Sequence, residues 1–227
     1  GRPVPADLVV VSAGVRPEAG LAPDAGIDVG PTGGYATDGH MRVLRGGEPV
    51  ERVYALGDCA EVGHAVLGRR TLSQLASTAV YGARAISRHL LDPDRPERSV
   101  VSPAVVVVGE LHVGTVGLTQ HGGEGLGLGT WGLSARGLDR SRYFPGAEEL
   151  YLRLVGDPTG RIVGAQAVGR RDVKERMNLM ALVISEGIPA ERLVEVDRAY
   201  SPPVQLLADP MLQLLDGFIE AKGQMQG

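Results

Sequence analysis

The chain has 227 residues and a formal net charge of −4, with 43% apolar and 22% charged residues, which excludes disordered and fibrous classes. Only 4% of the residues are aromatic and the basic residues are scattered, so we expect no nucleic-acid partner. A single cysteine, Cys59, excludes an internal disulfide and fits a reducing cytoplasm, and the short apolar runs predict no membrane span.

The first part of the chain alternates short apolar runs with turns. Residues 7–13 and 53–56 each predict a short buried strand, and Gly57 and Asp58 stop the second one. Residues 72–91 then carry apolar side chains at the 3.6-residue period of an amphipathic helix. A buried strand that ends in Gly-Asp places a carboxylate at the carboxyl edge of a sheet, where ligands of α/β folds bind. The alternative is that the aspartate only caps the following turn.

A proline-broken polar stretch at residues 92–98 is the best candidate for a linker, and it separates two predicted domains, 1–97 and 100–227. The second domain is predicted to begin with strands, joined at one point by a hairpin turn, and to end with helices. The predicted strands occupy residues 104–109, 113–117, 150–155 and 162–168, and the predicted helices occupy residues 173–186 and 209–221.

Local signals define several further expectations in the second domain. Gly187 predicts the end of the first of these helices, and Asp209 is predicted to cap the second. The glycine-dense residues 122–132 include a formal Gly-x-Gly-x-x-Gly pattern, but without a preceding strand or a following helix we predict a mobile loop. Arg176 fits a solvated helix face or an anion-binding role equally well. The five histidines lack metal-ligand spacing, so no metal site is predicted.

Four motifs occur along the chain in a fixed order. They are Gly-Val-Arg-Pro at 14–17, Ala-x-Gly-Asp at 55–58, Gly-Arg-Ile-x-Gly-Ala-Gln-x-x-Gly at 160–169, and Tyr-x-Pro-Pro at 200–203 ahead of an Asp-Pro pair. This order resembles the carboxyl-terminal half of the FAD-dependent pyridine-nucleotide disulfide oxidoreductases. The branch of coenzyme A-disulfide reductases and NADH oxidases fits best, because no histidine follows His121 to serve as the acid–base group of the glutathione reductase branch.

The resemblance implies an α/β chain: a partial FAD/NAD(P)-binding, Rossmann-like segment, then an α+β dimerisation domain with a mainly antiparallel sheet. The family's Gly-Asp aspartate hydrogen-bonds the ribityl chain of FAD, a role that passes to Asp58 beside Gly57. The helix start that follows approaches the isoalloxazine, which places Leu75, Ala76 and Ser77 at the flavin. The family's amino-terminal glycine motif, redox cysteine and NAD(P)H loop are missing from the chain, so we expect a missing amino-terminal half as partner.

In this branch a single redox cysteine works opposite tyrosines that the partner subunit of a homodimer donates. Tyr200 and Tyr143 match those positions, and ordinary interface packing is the alternative for both. A further tyrosine expected after the Pro-Pro pair is Val204 here, which weakens the assignment to coenzyme A. Because the family's redox cysteine belongs to the missing half, we expect Cys59 to be a small packed side chain.

The resemblance therefore implies part of a cytoplasmic flavoprotein that passes electrons from NAD(P)H through FAD to a disulfide, peroxide or oxygen. This chain would supply the contact to the FAD tail and the dimer interface, and by itself it would be inactive. The alternative is a non-enzymatic dimerisation or assembly module. A third interpretation, a ferredoxin-type reductase that uses no thiol, predicts that Tyr200→Phe leaves turnover unchanged.

Overall fold

The structure is a computed structural model that describes residues 2–94 and 99–226. The second half of the predicted linker, residues 95–98, lies outside the described residues. The chain divides into two compact units, the first formed by residues 1–61 with 72–95 and the second by residues 62–71 with 96–227. Within the described ranges, no helix is long and apolar enough to cross a membrane.

The first unit holds a short helix, a strand pair and one long helix. A second strand pair lies between the first pair and the long helix in the chain, and most of its residues belong to the second unit. In order they are α1 (Ala22–Ala25), β1 (Arg42–Arg45), β2 (Glu48–Tyr54), β3 (Glu61–His64), β4 (Arg69–Leu72) and α2 (Ala76–Leu91). β1 and β2 form an antiparallel hairpin, and β3 and β4 form a separate two-stranded sheet. Gly46 and Gly47 form the turn of the first hairpin with φ values of 60° and 84°, as a tight two-residue hairpin turn requires.

The predicted buried strand at residues 7–13 is wrong. Its apolar side chains, from Leu8 to Val11, are 74–82% exposed, and residues 7–13 form neither helix nor strand. A strand is stable only when neighbouring strands pair with its backbone, and the described part of the chain places none beside this run. The apolar pattern identifies a segment suited to burial but does not show that a partner strand is present.

The predicted strand at residues 53–56 is partly right. The helix predicted from residue 72 begins four residues later, at Ala76. Only the first two of these four residues belong to β2, and Val53 is 39% exposed because the strand lies in a two-stranded hairpin. Leu72 belongs to β4 rather than to the helix, and Leu75 is extended. α2 therefore begins at residue 76, and the buried positions on it are Thr78 and Gly82.

A five-stranded antiparallel sheet organises the second unit. Its strands are β5 (Ala104–Val108), β6 (Leu111–Gly117), β7 (Trp131–Leu138), β8 (Glu149–Gly156) and β9 (Ile162–Gly169), in the order β5-β6-β9-β8-β7. Its helices are α3 (Gln120–Gly125), α4 (Val173–Glu186), α5 (Ala190–Val194) and α6 (Pro210–Gln226). The predicted antiparallel sheet and all four predicted strands of this domain are confirmed, and β7 is an additional strand.

The core of the second unit lies between this sheet and the helices α4 and α6. α4 contacts β6 and β9, while α6 contacts β7 and β8. The burial of side chains alternates along β8, because successive residues of a strand point to opposite faces of the sheet. Leu150 and Leu154 are 0% exposed on the covered face, whereas Tyr151 is 44% exposed on the other. Phe218 of α6 is also fully buried and stacks on Trp131 of β7 with ring centroids 4.3 Å apart.

The predicted boundaries at Gly187 and Asp209 are confirmed, but α6 continues to Gln226, beyond the predicted end at residue 221, and the predicted loop is only partly right. α4 ends at Gly187, whose φ of 64° suits a left-handed cap, and the carboxylate of Asp209 accepts the N–H of Met211 at 2.7 Å to cap α6. Of the glycine-dense residues 122–132, the first four lie in α3 and the last two in β7, and residues 126–130 between them form a turn and irregular backbone. The hydroxyl of Thr119 caps α3 by accepting the N–H of Gly122 at 3.0 Å.

Candidate functional site

The loop after β2 places Gly57 and Asp58 beside the first turn of α2. Gly57 has a φ of 82°, and a Cβ added there would lie 3.6 Å from the Cβ of Ala79. Its carbonyl accepts the N–H of Ala60 at 3.1 Å, which closes a turn around Asp58. The Asp58 side chain is exposed. The turn that begins at Gly57 therefore presents the carboxylate of Asp58 to solvent, near the start of α2.

The start of α2 adds hydrogen-bond donors to this edge. The carbonyl of Leu75 accepts the N–H groups of Thr78 and Ala79 at 2.9 and 3.1 Å. The N–H groups of Ala76 and Ser77 precede the first intrahelical bonds, so the helix itself leaves them free to bind another acceptor, and both residues are exposed. The positive end of the helix dipole lies at the same place.

One hydrogen bond joins the segment before α2 to the loop after β2, and another joins that segment to the first turn of the helix. Gln74 donates from Nε2 to the carbonyl oxygen of Asp58 at 3.4 Å, and the hydroxyls of Ser73 and Thr78 are 2.8 Å apart and buried. The structure thus brings all five predicted cofactor-binding residues to one edge of the first unit. There the carboxylate can accept hydrogen bonds from ligand hydroxyls, and the amides can donate to a carbonyl or anionic oxygen.

Cys59 lies directly behind this edge. Its side chain is half-buried, and its Sγ is 3.5 Å from the carbonyl oxygen of Leu56. Residues 2–94 and 99–226 contain no group of three or more His, Cys, Asp or Glu side chains that could hold a metal ion.

The two predicted catalytic tyrosines lie in irregular segments of the second unit. Tyr143 is 73% exposed in the turn between β7 and β8, and its ring lies 5.6 Å from that of Phe144. Tyr200 is 44% exposed and lines a cavity of about 200 Å³ formed by residues 194–212. Among the described residues, no ring contact joins the two tyrosines. Both phenols therefore remain accessible to a ligand or another chain.

A buried ion pair that sequence reasoning missed anchors the segment that carries Tyr200. The guanidinium of Arg176 on α4 donates to both carboxylate oxygens of Asp209 at 2.8 and 2.6 Å, and the two side chains are 12% and 1% exposed. Gln205 donates to the same carboxylate at 3.2 Å. Arg176 thus occupies neither a solvated helix face nor an open anion site, because a carboxylate of this chain already binds it.

The electrostatics of Asp209 follow from this pairing. Burial by itself would raise its pKa, but the hydrogen bonds and charge of Arg176, the N–H of Met211 and the amide of Gln205 together lower the pKa below its ordinary value. The carboxylate is therefore ionised at neutral pH. The sequence signal for this ion pair was the Asp-Pro pair at residues 209–210. The sequence did not indicate Arg176 as the partner of Asp209, because the two residues are 33 positions apart.

Two domain models of one protein family match the chain, one in each part of the sequence. Residues 1–83 match the model of the pyridine nucleotide-disulphide oxidoreductases, and residues 103–207 match the dimerisation domain of the same family. The chain belongs to the pyridine nucleotide-disulphide oxidoreductase family. Members of this family are FAD-dependent and use NADH or NADPH.

Relatives with assigned activities are similar to this chain over most of its length. An NADH oxidase of Methanocaldococcus jannaschii is 30% identical over 205 residues, which are 90% of this chain and 44% of the oxidase. An NAD(P)H sulfur oxidoreductase (CoA-dependent) of Pyrococcus furiosus is 30% identical over 212 residues, covering 92% of this chain and 46% of that protein. This chain spans somewhat less than half the length of these relatives.

Solved structures show the same fold. An NAD-dependent persulfide reductase from A. fulgidus superposes with a TM-score of 0.86 at 28% identity, over 97% of this chain and 40% of that one. The reduced CoADR-RHD of Bacillus anthracis superposes with a TM-score of 0.88 at 24% identity, over 96% of this chain and 39% of that one, and this likeness supports the fold alone.

Proposed function

We propose that this chain supplies the FAD-tail contact and the dimer interface of a flavoprotein that passes electrons from NADH or NADPH through FAD. The observation that carries the proposal is the edge where the exposed Asp58 carboxylate and the free amides of Ala76 and Ser77 lie together. A carboxylate is an acceptor suited to the hydroxyls of a ribityl chain, and helix amides are donors suited to the polar edge of a flavin.

The residues of this edge fit FAD in shape as well as in chemistry. Gly57 has no side chain and adopts a positive φ, so a ligand can approach the backbone closely there. Bound FAD would supply the hydride and electron chemistry. Asp58 would orient the ribityl chain by accepting its hydroxyl protons in hydrogen bonds, and the start of α2 would fix the ring edge.

We propose that the second domain, residues 100–227, forms a homodimer and presents Tyr200 and Tyr143 to the partner's site. The exposure of both phenols supports this, since neither is buried against other residues of the chain. A phenol O–H could donate a proton to a departing thiolate or hydroperoxide. The activities of the relatives, NADH oxidase and sulfur oxidoreductase, support oxygen, peroxide or a disulfide as the acceptor class.

A second candidate function is a non-enzymatic dimerisation or assembly module. The second unit has its own core between sheet and helices, which favours independent folding. In the first unit, the apolar run from Leu8 to Val11 is exposed, as expected for a segment that needs a further chain segment to cover it. This alternative requires no FAD contact.

A titration of the chain with FAD separates the two candidates. We expect saturable quenching of flavin fluorescence, and Asp58→Asn should weaken FAD affinity about ten-fold, since a hydrogen bond to a charged group contributes about 1.5–3 kcal/mol. Asp24→Asn, an exposed carboxylate in the first turn of α1, is the matched control and should leave the affinity unchanged. Failure of the chain to take up FAD would favour the assembly module.

A further inference from the structure

The cavity beside Tyr200 combines apolar walls with a cation. It has a volume of about 200 Å³ and is lined by apolar and by charged side chains. The residues that matter here are Val196, Asp197, Arg198, Tyr200, Leu206 and Leu207. Ligand sites for drug-sized molecules occupy 300–1,000 Å³, so this cavity suits a smaller molecule. All of its lining residues belong to the second unit.

Arg198 forms a hydrogen bond to the backbone but no ion pair with any residue that the structure describes. Its Nη2 donates to the carbonyl oxygen of Leu193 at 3.0 Å. Asp209 attracts Arg198 at longer range, yet both of its oxygens are already bonded to Arg176. Asp209 is therefore occupied by Arg176, and the guanidinium of Arg198 has no carboxylate in contact among the described residues.

Partial burial makes the positive charge of Arg198 costly. Arg198 is half-buried, and burial lowers its pKa despite the attraction of Asp209, while the nearby charge of Arg176 lowers it further. An anion bound at Arg198 would relieve this cost. A guanidinium presents a planar fork of N–H donors that matches a carboxylate or phosphate group.

The other lining residues restrict the ligand further. Val196 and Leu207 are 57% and 74% exposed, so an apolar group placed against them would remove apolar surface from water. Asp197 is exposed on the same lining and adds one negative charge, which favours a singly charged ligand over a doubly charged one. The hydroxyl of Tyr200 is a further donor at the rim.

We propose that this cavity is a binding site for a small monoanion that joins an oxyanion group to a short apolar group, with Arg198 holding the oxyanion. The apolar part lies against Leu206 and Leu207. The residues of this cavity belong to the second unit and Asp58 belongs to the first, and the binding proposed here involves no electron transfer.

Benzoate is a suitable probe, since it joins one carboxylate to one apolar ring. In ¹H–¹⁵N spectra of the 227-residue chain, we expect saturable benzoate-dependent shifts at residues 194–207. Arg198→Gln should weaken benzoate binding about ten-fold or more. Arg192→Gln is the matched control, because Arg192 is 71% exposed and already paired with Glu195, and it should bind as the unmodified chain does. Benzamide, the neutral analogue, should produce no saturable shifts.

A second variant tests the site without altering the guanidinium. Leu207→Asp removes one apolar wall and adds a carboxylate at an exposed position of the rim, so the chain should still fold and benzoate affinity should fall for both reasons. The proposal is overturned if benzamide binds as tightly as benzoate, if Arg198→Gln and Arg192→Gln bind benzoate equally, or if benzoate produces no saturable shift at these residues. Loss of FAD uptake at Asp58 would leave these results unchanged, so the two proposals fail separately.

Discussion

The carboxylate of Asp209 connects three parts of the second unit. It binds the guanidinium of Arg176 on α4, the N–H of Met211 in the first turn of α6, and the amide of Gln205 in the segment between them. The carboxylate is 1% exposed and the guanidinium side chain 12% exposed. Asp209→Ala would therefore leave a buried cation without its partner and remove the cap of α6.

We expect Asp209→Ala to lower the free energy of unfolding of the second unit by about 3–5 kcal/mol, the usual cost of removing one partner of a buried ion pair. The lost helix cap, about 1 kcal/mol, is part of that range. Asp216→Ala is the matched control, since Asp216 is exposed on the same helix and its replacement should change stability by less than about 0.5 kcal/mol.

Urea unfolding followed by tryptophan fluorescence measures this difference. Trp131 is the single tryptophan of the chain, and its ring stacks on Phe218 of α6, so its emission reports on the unit that Asp209 stabilises. The variant should unfold at a clearly lower urea concentration than the unmodified chain. If Asp209→Ala and Asp216→Ala unfold at the same urea concentration, the ion pair does not stabilise the unit and the reasoning is wrong.

Three further predictions concern pH, glycine packing and self-association. Because the pKa of Asp209 is lowered in the folded state, its contribution is complete at neutral pH and is lost as pH falls below about 4, so Asp209→Asn should flatten this acid dependence in urea unfolding. Gly164→Ala should cost at least about 2 kcal/mol, since its Cβ would clash with the carbonyl of Leu118, whereas Gly223→Ala in α6 meets no atom within 4 Å and should stabilise by about 0.5–1 kcal/mol. Sedimentation at tens of micromolar should show a homodimer, and a monomer there contradicts the proposed interface.

The sequence predicted those elements whose signals are local. The apolar run at residues 150–155 predicted β8, and Gly187 and Asp209 marked helix ends correctly, because a cap depends on residues within one turn. The boundaries of α4 agree with prediction for the same reason. These features depend little on distant parts of the chain.

Elements that depend on distant partners could not be predicted in this way. β7 lacks a clear apolar alternation and contains Gly132 and Gly137, and it is held by its antiparallel pairing with β8. The run from Leu8 to Val11 shows the opposite case, an apolar pattern without a neighbouring strand among the described residues. Periodicity measures suitability for a strand, whereas pairing decides whether one forms.

The candidate site was accessible from sequence only in part. Gly57 and Asp58 stood out because a Gly-Asp pair after an apolar run is a local pattern, and Leu75, Ala76 and Ser77 came from the family resemblance. The bonds that join these two segments, such as that from Gln74 to Asp58, required the structure. The surroundings of Tyr200, including Arg198 and the Arg176–Asp209 pair, are likewise products of tertiary packing.

The measurement that bears most directly on the proposed FAD contact is a map of backbone amide shifts during an FAD titration of this chain. The proposal predicts the largest shifts at Asp58, Ala76 and Ser77, where the carboxylate and the free helix amides lie together. Shifts that avoid this edge, or that persist unchanged in Asp58→Asn, would contradict the assignment of these residues to FAD.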